Sequence, residues 1–167
     1  RQRGLPGTTR YAAVKRLGGA GDGGRDIEAR YGQALVRDGW DLYQAKHYAQ
    51  GLTHTDAFPE MAKFFKQLAL KTYPRPRHYY FCCPRAVGND LHNTMASGAV
   101  AFKAKFLDAW KNEHTGMKGR ALELTQEVQA AIDDFDFDRF IECPVHDLLT
   151  WHAIDRAAHH DMFGIVP

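Results

Sequence analysis

The chain has 167 residues, of which 44% are hydrophobic and 25% charged, and its formal charge is +2, values that suit one domain with a single core and argue against a disordered tail. No apolar run approaches the ~20 residues that cross a bilayer, and the opening RQRGLPGTTR lacks the apolar segment of a signal peptide. Three cysteines without a CxxC pair argue against a disulfide framework, so the expectation is a soluble, cytoplasmic protein in a reducing compartment.

Charge is unevenly spread. Residues 1–50 carry nine Lys or Arg against five Asp or Glu, residues 51–120 carry eleven against five, and residues 121–167 carry two against ten. A basic body suits phosphates, while the acidic end suits solvent or another protein segment. The chain opens on arginine rather than methionine and closes on GIVP, and we expect it to be a segment of a longer polypeptide.

In chain order, residues 11–17 (YAAVKRL) alternate weakly as a strand does, and the glycines between 18 and 24 form a loop. Residues 25–31 and 40–48 are two further strands, with 32–39 as their hairpin connection, which makes a short β-meander. After Gly51 the period lengthens: Phe58, Met61, Phe65, Leu68 and Thr72 predict a helix running from a Thr55 or Asp56 cap to the YPRP breaker at 73–76. HYYFCC at 78–83 predicts a central strand ended by Pro84. A second helical region follows from Asn89, with Phe102, Phe106 and Trp110 on one face. Leu124, Val128, Ala131 and Phe135 mark an amphipathic helix over 120–135, a short strand over 139–143 stops at Pro144, and a last helix runs from Val145 to about Met162. The order βββαβααβα predicts an α/β fold: a central mixed β-sheet, built from the meander and right-handed crossover strands, flanked by helices. One domain spans 1–167, with its core over about 11–90 and a helical C-terminal extension over about 90–167.

The chemistry is concentrated in GDGGRDI (21–27) and YQAKHY (43–48). Strand alternation places Gln44 and Lys46 on one face, Ala45 and His47 on the other, and Asp26 with Glu28 on one face of the preceding strand. If the two strands pair, a carboxylate, a carboxamide oxygen and an ammonium converge, which suits metal-assisted phosphodiester cleavage. Mg²⁺ prefers hard oxygen ligands and keeps several waters, so Asp26, the Gln44 amide oxygen and the backbone carbonyl of Ala45 can hold it. Lys46 then stabilises or helps deprotonate the attacking water and neutralises charge developing on the phosphate. The glycines ahead of Asp26 let the backbone turn tightly and come close to a bulky nucleic-acid strand. The same residues also read as ordinary surface side chains on two strands beside a common kind of turn.

At these residues the sequence resembles the Mrr-like branch of the PD-(D/E)xK restriction-endonuclease superfamily, in which QxK stands for the usual ExK, and it looks most like the nuclease domains at the N-termini of bacterial anti-phage defence effectors. The likeness covers 19–48, and the helix and strand over 56–83 agree with it in order. It implies a restriction-endonuclease-like core and a double-stranded DNA endonuclease dependent on Mg²⁺ or Mn²⁺ that leaves 5′-phosphate and 3′-hydroxyl ends. On that likeness Asp26 matches the metal-binding aspartate, Gln44 the acidic or amide ligand and Lys46 the catalytic lysine, while Asp22 matches a loop position that is often acidic. Families of this fold often supply a glutamate from an upstream helix; none is recognised here, and Glu28 is the nearest substitute, with an exposed strand glutamate as the alternative. Gln in place of Glu at position 44 removes one negative charge, so one strong metal site is expected. Such an effector implies gating by sensor or oligomerisation domains of the same longer protein, an oligomer when active, and a docking role for the acidic end. Two rival readings remain: a catalytically inactive nuclease-fold module that binds DNA or assembles subunits, and a structure-selective nuclease for DNA junctions.

Arg75, Arg77 and Arg85 flank the HYYFCC strand and, with Lys63, Lys66 and Lys71 on the preceding helix, are candidate phosphate contacts, which give affinity without reading sequence and weaken with salt; a solvated helix face is the alternative for the lysines. Cys82, Cys83, Cys143 and His146 match no zinc spacing and read as small buried hydrophobes at the cysteines. Of the nine histidines, His54 and His78 are the two able to rim the site, His47 packs on the opposite strand face, and His159 and His160 mark a helix end.

Overall fold

The computed structural model describes residues 11–17, 23–45, 51–119, 122–144 and 146–147. Its centre is a sheet of β1 (Ala13–Arg16), β2 (Ile27–Arg30), β3 (Trp40–Ala45), β4 (Tyr79–Cys83) and β5 (Phe140–Pro144), arranged in that order across the sheet. The first three strands are antiparallel neighbours, whereas β4 pairs parallel with both β3 and β5. Parallel pairing needs long crossovers, and helices supply them: α2 (His54–Ala69) between β3 and β4, then α3 (Asn89–Ala96), α4 (Ala99–Lys111), α5 (Gln126–Asp133) and a 3₁₀ turn at Phe137–Arg139 between β4 and β5. The expected α/β class and mixed sheet are therefore present.

Details of the elements differ from expectation for local reasons. The 32–39 connection contains a single helical turn, α1 (Leu35–Asp38). The cap of α2 is Thr53 rather than Thr55 or Asp56: the Asp56 carboxylate reaches back to accept from the Thr53 N–H at 3.1 Å and its hydroxyl at 2.6 Å, which holds the first turn closed. The second helical region breaks at Ser97 and Gly98 into α3 and α4. The helix expected over 120–135 is only α5, beginning after Thr125, whose Oγ1 accepts from the Val128 N–H. Because β5 lies in the sheet, residues 90–144 complete the core rather than extend it. The last helix expected from Val145 falls almost wholly outside the described residues, as does the end of the strand expected over 40–48.

The alternation of β3 sorts the two faces. Trp40, Leu42 and Gln44 point to one side with Tyr79, Phe81 and Phe140, and all six are at most 4% exposed. Onto this side α2 lays Phe64, 5.1 Å from the Tyr79 ring, and Phe65, 6.1 Å from Phe140; α4 adds Phe102, 5.7 Å from Phe140. Each buried aromatic of this kind contributes about 1.5–3 kcal/mol by burial, so the aromatic cluster is the main force holding helices to sheet. The other side carries Asp41, Tyr43 and Tyr80, and every described ring contact between a helix and the sheet is on the first side.

Candidate metal centre

Asp26 closes the loop that enters β2. Its carbonyl accepts from the Leu17 N–H at 2.8 Å, tying it to β1. Antiparallel pairing sets Ile27 opposite Tyr43, so Asp26 meets Gln44 and Ala45 at the far end of β3. Its Oδ2 accepts from the Gln44 amide nitrogen and from the Ala45 N–H, both at 2.8 Å. The sequence-predicted carboxylate and carboxamide are thus side by side on one face.

Gln44 is 2% exposed. With its nitrogen committed to Asp26, its Oε1 is buried and accepts no hydrogen bond among the described groups. Turning the amide over would aim that oxygen at the carboxylate, so the network sets its orientation. An unpaired buried carbonyl costs about 1–3 kcal/mol, and a hard cation is one chemistry that removes the cost. One hard cation on the Gln44 Oε1, with Asp26 as the adjoining carboxylate, would relieve that cost. These residues do not fit a carboxylate-rich cage: among the described residues no three His, Cys, Asp or Glu side chains gather to hold a metal.

Glu28, the expected substitute ligand, is neither exposed nor directed to Asp26. It is 1% exposed, and its two oxygens are engaged by Arg25 at 2.8 Å and Arg30 at 2.5 Å. The reason is register, since Glu28 lies opposite Leu42 in mid-sheet, where a carboxylate needs guanidinium partners to be buried at all. Lys46, His47 and Asp22 lie outside the described residues. Of the loop glycines, Gly23 has φ 66° and a packing use: its carbonyl accepts from the Tyr73 hydroxyl at 3.1 Å, and an added Cβ would sit 3.1 Å from that ring. The Arg25 guanidinium lies over the same ring at 4.5 Å.

The basic residues do not form one surface. Parallel strands put Arg85, exposed just after β4, at the same end of the sheet as Ala45, whereas Arg75 and Arg77 precede β4 at the opposite end. Lys63 pairs with Glu60 at 2.9 Å, and Lys66 is exposed on α2.

Neither candidate histidine rims the site. His54 is buried against Thr94, with Nε2 2.8 Å from the hydroxyl, and burial, followed by the charge of Lys105, pushes its pKa down. His78 meets Asp41 on the other face, through its N–H and its Nδ1, each 3.1 Å from Oδ1. Cys82 and Cys143 face each other across β4 and β5, while the Cys83 thiol donates to the Ala86 carbonyl at 2.7 Å; the three do not converge. Sequence reasoning missed Asp41, which is fully buried and accepts from the Tyr11 and Tyr31 hydroxyls at 2.5 and 2.7 Å. Its one legible signal was a charged residue between the apolar Trp40 and Leu42 of a strand.

Fold and site together define an α/β chain with a mixed five-stranded sheet and a carboxylate–carboxamide pair where β3 ends. No protein-family model, no curated protein and no solved structure matches the chain. Among the described residues no helix is long and apolar enough to cross a membrane.

Proposed function

We propose that the chain is a metal-dependent nuclease that hydrolyses phosphodiester bonds of double-stranded DNA. The observation that carries the reading is the orphaned Oε1 of Gln44, whose amide nitrogen donates to Asp26, on the two positions where the likeness to the QxK branch of restriction-endonuclease-like enzymes requires metal ligands. Asp26, Gln44 and the Ala45 carbonyl would hold Mg²⁺ or Mn²⁺. When bound, such an ion polarises the phosphate and makes a coordinated water more acidic. Asp26 is held in place by its two hydrogen bonds, and Lys46 supplies the cation that neutralises the phosphate as charge develops. Arg85, at the same end of the sheet, meets the backbone without reading sequence.

Supercoiled plasmid incubated with Mg²⁺ or Mn²⁺ tests the reading. The native chain should linearise it, EDTA should stop the reaction, and Lys46→Ala and Asp26→Ala should leave the plasmid intact while keeping the native circular-dichroism spectrum. Intact plasmid with the native chain under both ions overturns it. The sequestered Glu28 and the single available carboxylate among the described residues of the site favour a second reading, a nuclease-fold module that binds DNA or assembles without cutting; plasmid retarded in a gel but uncut selects it, and preferential cutting of a four-way junction selects the structure-selective variant.

A further inference from the structure

At the opposite end of the sheet from Asp26, four arginines line one cavity. Arg37 from α1, Arg75 and Arg77 from the segment before β4, and Arg139 from the 3₁₀ turn surround about 390 Å³, with Pro74, Pro76 and Gly39 completing the wall. We propose that this cavity binds a phosphate group, presented either by a duplex backbone or by a small phosphate ester.

Charge is the first argument. Asp38 answers Arg37, with bonds of 2.6 and 2.9 Å, and Asp134 answers Arg75. Arg77 and Arg139 have no carboxylate partner among the described residues. Two guanidiniums without a described carboxylate partner in one recess repel each other, and a multivalent anion relieves that repulsion.

Preorganisation is the second. A proline of fixed φ precedes each of Arg75 and Arg77, and their segment is stitched to β3: the Arg77 N–H donates to the Trp40 carbonyl at 2.7 Å, and the Trp40 indole N–H donates to the Pro74 carbonyl at 3.0 Å. Arg75 donates to the Asp134 carbonyl at 2.9 Å, while the Arg77 guanidinium lies over the Tyr31 ring at 4.4 Å. Gly39, at φ 82°, leaves that guanidinium its place, since an added Cβ would fall 2.5 Å from its Nε. Guanidiniums held in fixed planes match the paired oxygens of a phosphate. The cavity is of the size that takes a small ligand, about 300–1,000 Å³.

Position separates this site from the candidate metal centre. β3 runs six residues from Trp40 to Ala45, about 3.3 Å each, so one phosphate cannot serve both. The proposal does not rest on the nuclease reading.

The test uses the 167-residue chain with two probes, a fluorescein-labelled DNA duplex followed by anisotropy and inorganic pyrophosphate followed by calorimetry. The double variant Arg77→Gln/Arg139→Gln should weaken at least one probe tenfold or more, whereas the exposed helix variant Lys66→Gln should change neither by more than twofold. Loss confined to the duplex identifies a backbone phosphate; loss confined to pyrophosphate identifies a small ester. Val36→Glu, on a lip residue that is 85% exposed, adds an opposing charge without touching the packing and should weaken the same probe, which decides the matter if the double variant does not fold. The proposal is overturned if neither probe responds to Val36→Glu or to a folded double variant, or if Lys66→Gln weakens binding as much.

Discussion

Gln44 and Asp41 are buried polar residues of one strand, and alternation sends them to opposite faces with opposite solutions. Asp41 is fully satisfied by two phenols and a histidine; Gln44 is left with one oxygen unpaired. If that oxygen awaits a cation, Gln44→Glu places a second carboxylate against Asp26, which destabilises the empty site by like-charge repulsion and tightens cation binding. The expected outcome is a melting temperature lower than native in EDTA that recovers with added Mg²⁺, by a larger increment than the native chain shows; equal increments in both count against the metal centre. The phenols give a pH dependence. Burial first, and hydrogen bonding to Asp41 second, raise the pKa of Tyr11 and Tyr31 above the ordinary value, and burial raises that of Tyr43. Unfolded tyrosines ionise near pH ~10 while these stay protonated in the fold. Their stabilisation is thus complete below about pH 10 and falls as pH rises above it. Thermal melts from pH 7 to 11 should show that fall, with a shallower slope in Tyr11→Phe.

Among the elements, α2 shows most directly how local chemistry places function. Its apolar period was plain in the sequence, but its start was not, because Thr53, Thr55 and Asp56 all offer cap chemistry and only the folded backbone selects the pair that closes on itself. Thr53→Ala removes the hydroxyl end of that pair, and the expected loss is about 1 kcal/mol, measured as a lower urea midpoint with an unchanged slope. The strands behave differently. Antiparallel pairing of β2 with β3 was legible from the meander pattern, and the meeting of Asp26 and Gln44 followed only on condition of that pairing. The register that buried Glu28 between Arg25 and Arg30 was not, since a shift of one residue reverses every side chain and nothing in a short strand announces which register holds.

For the whole molecule, one aromatic cluster joins what the chain separates. Phe65 of α2 touches the rings of Phe106, Phe135, Phe137 and Phe140, so it links two helices, the 3₁₀ turn and the last described strand. Phe65→Ala should cost about 3–5 kcal/mol, a large part of the roughly 5–15 kcal/mol that holds a domain folded; chemical denaturation checks it, and a loss below 1 kcal/mol would mean the cluster is not the shared core. Hydrophobic period and strand alternation are local properties, so the sequence by itself determined the α/β class and the order of the strands, and it offered the meeting of Asp26 with Gln44 on condition that their strands pair. Tertiary structure alone decided that Arg37 and Arg139 join Arg75 and Arg77 around one cavity, and that Asp41 and His78 meet. Those neighbours are set by crossover geometry and side-chain packing between segments far apart in the chain, and no window of sequence contains both partners.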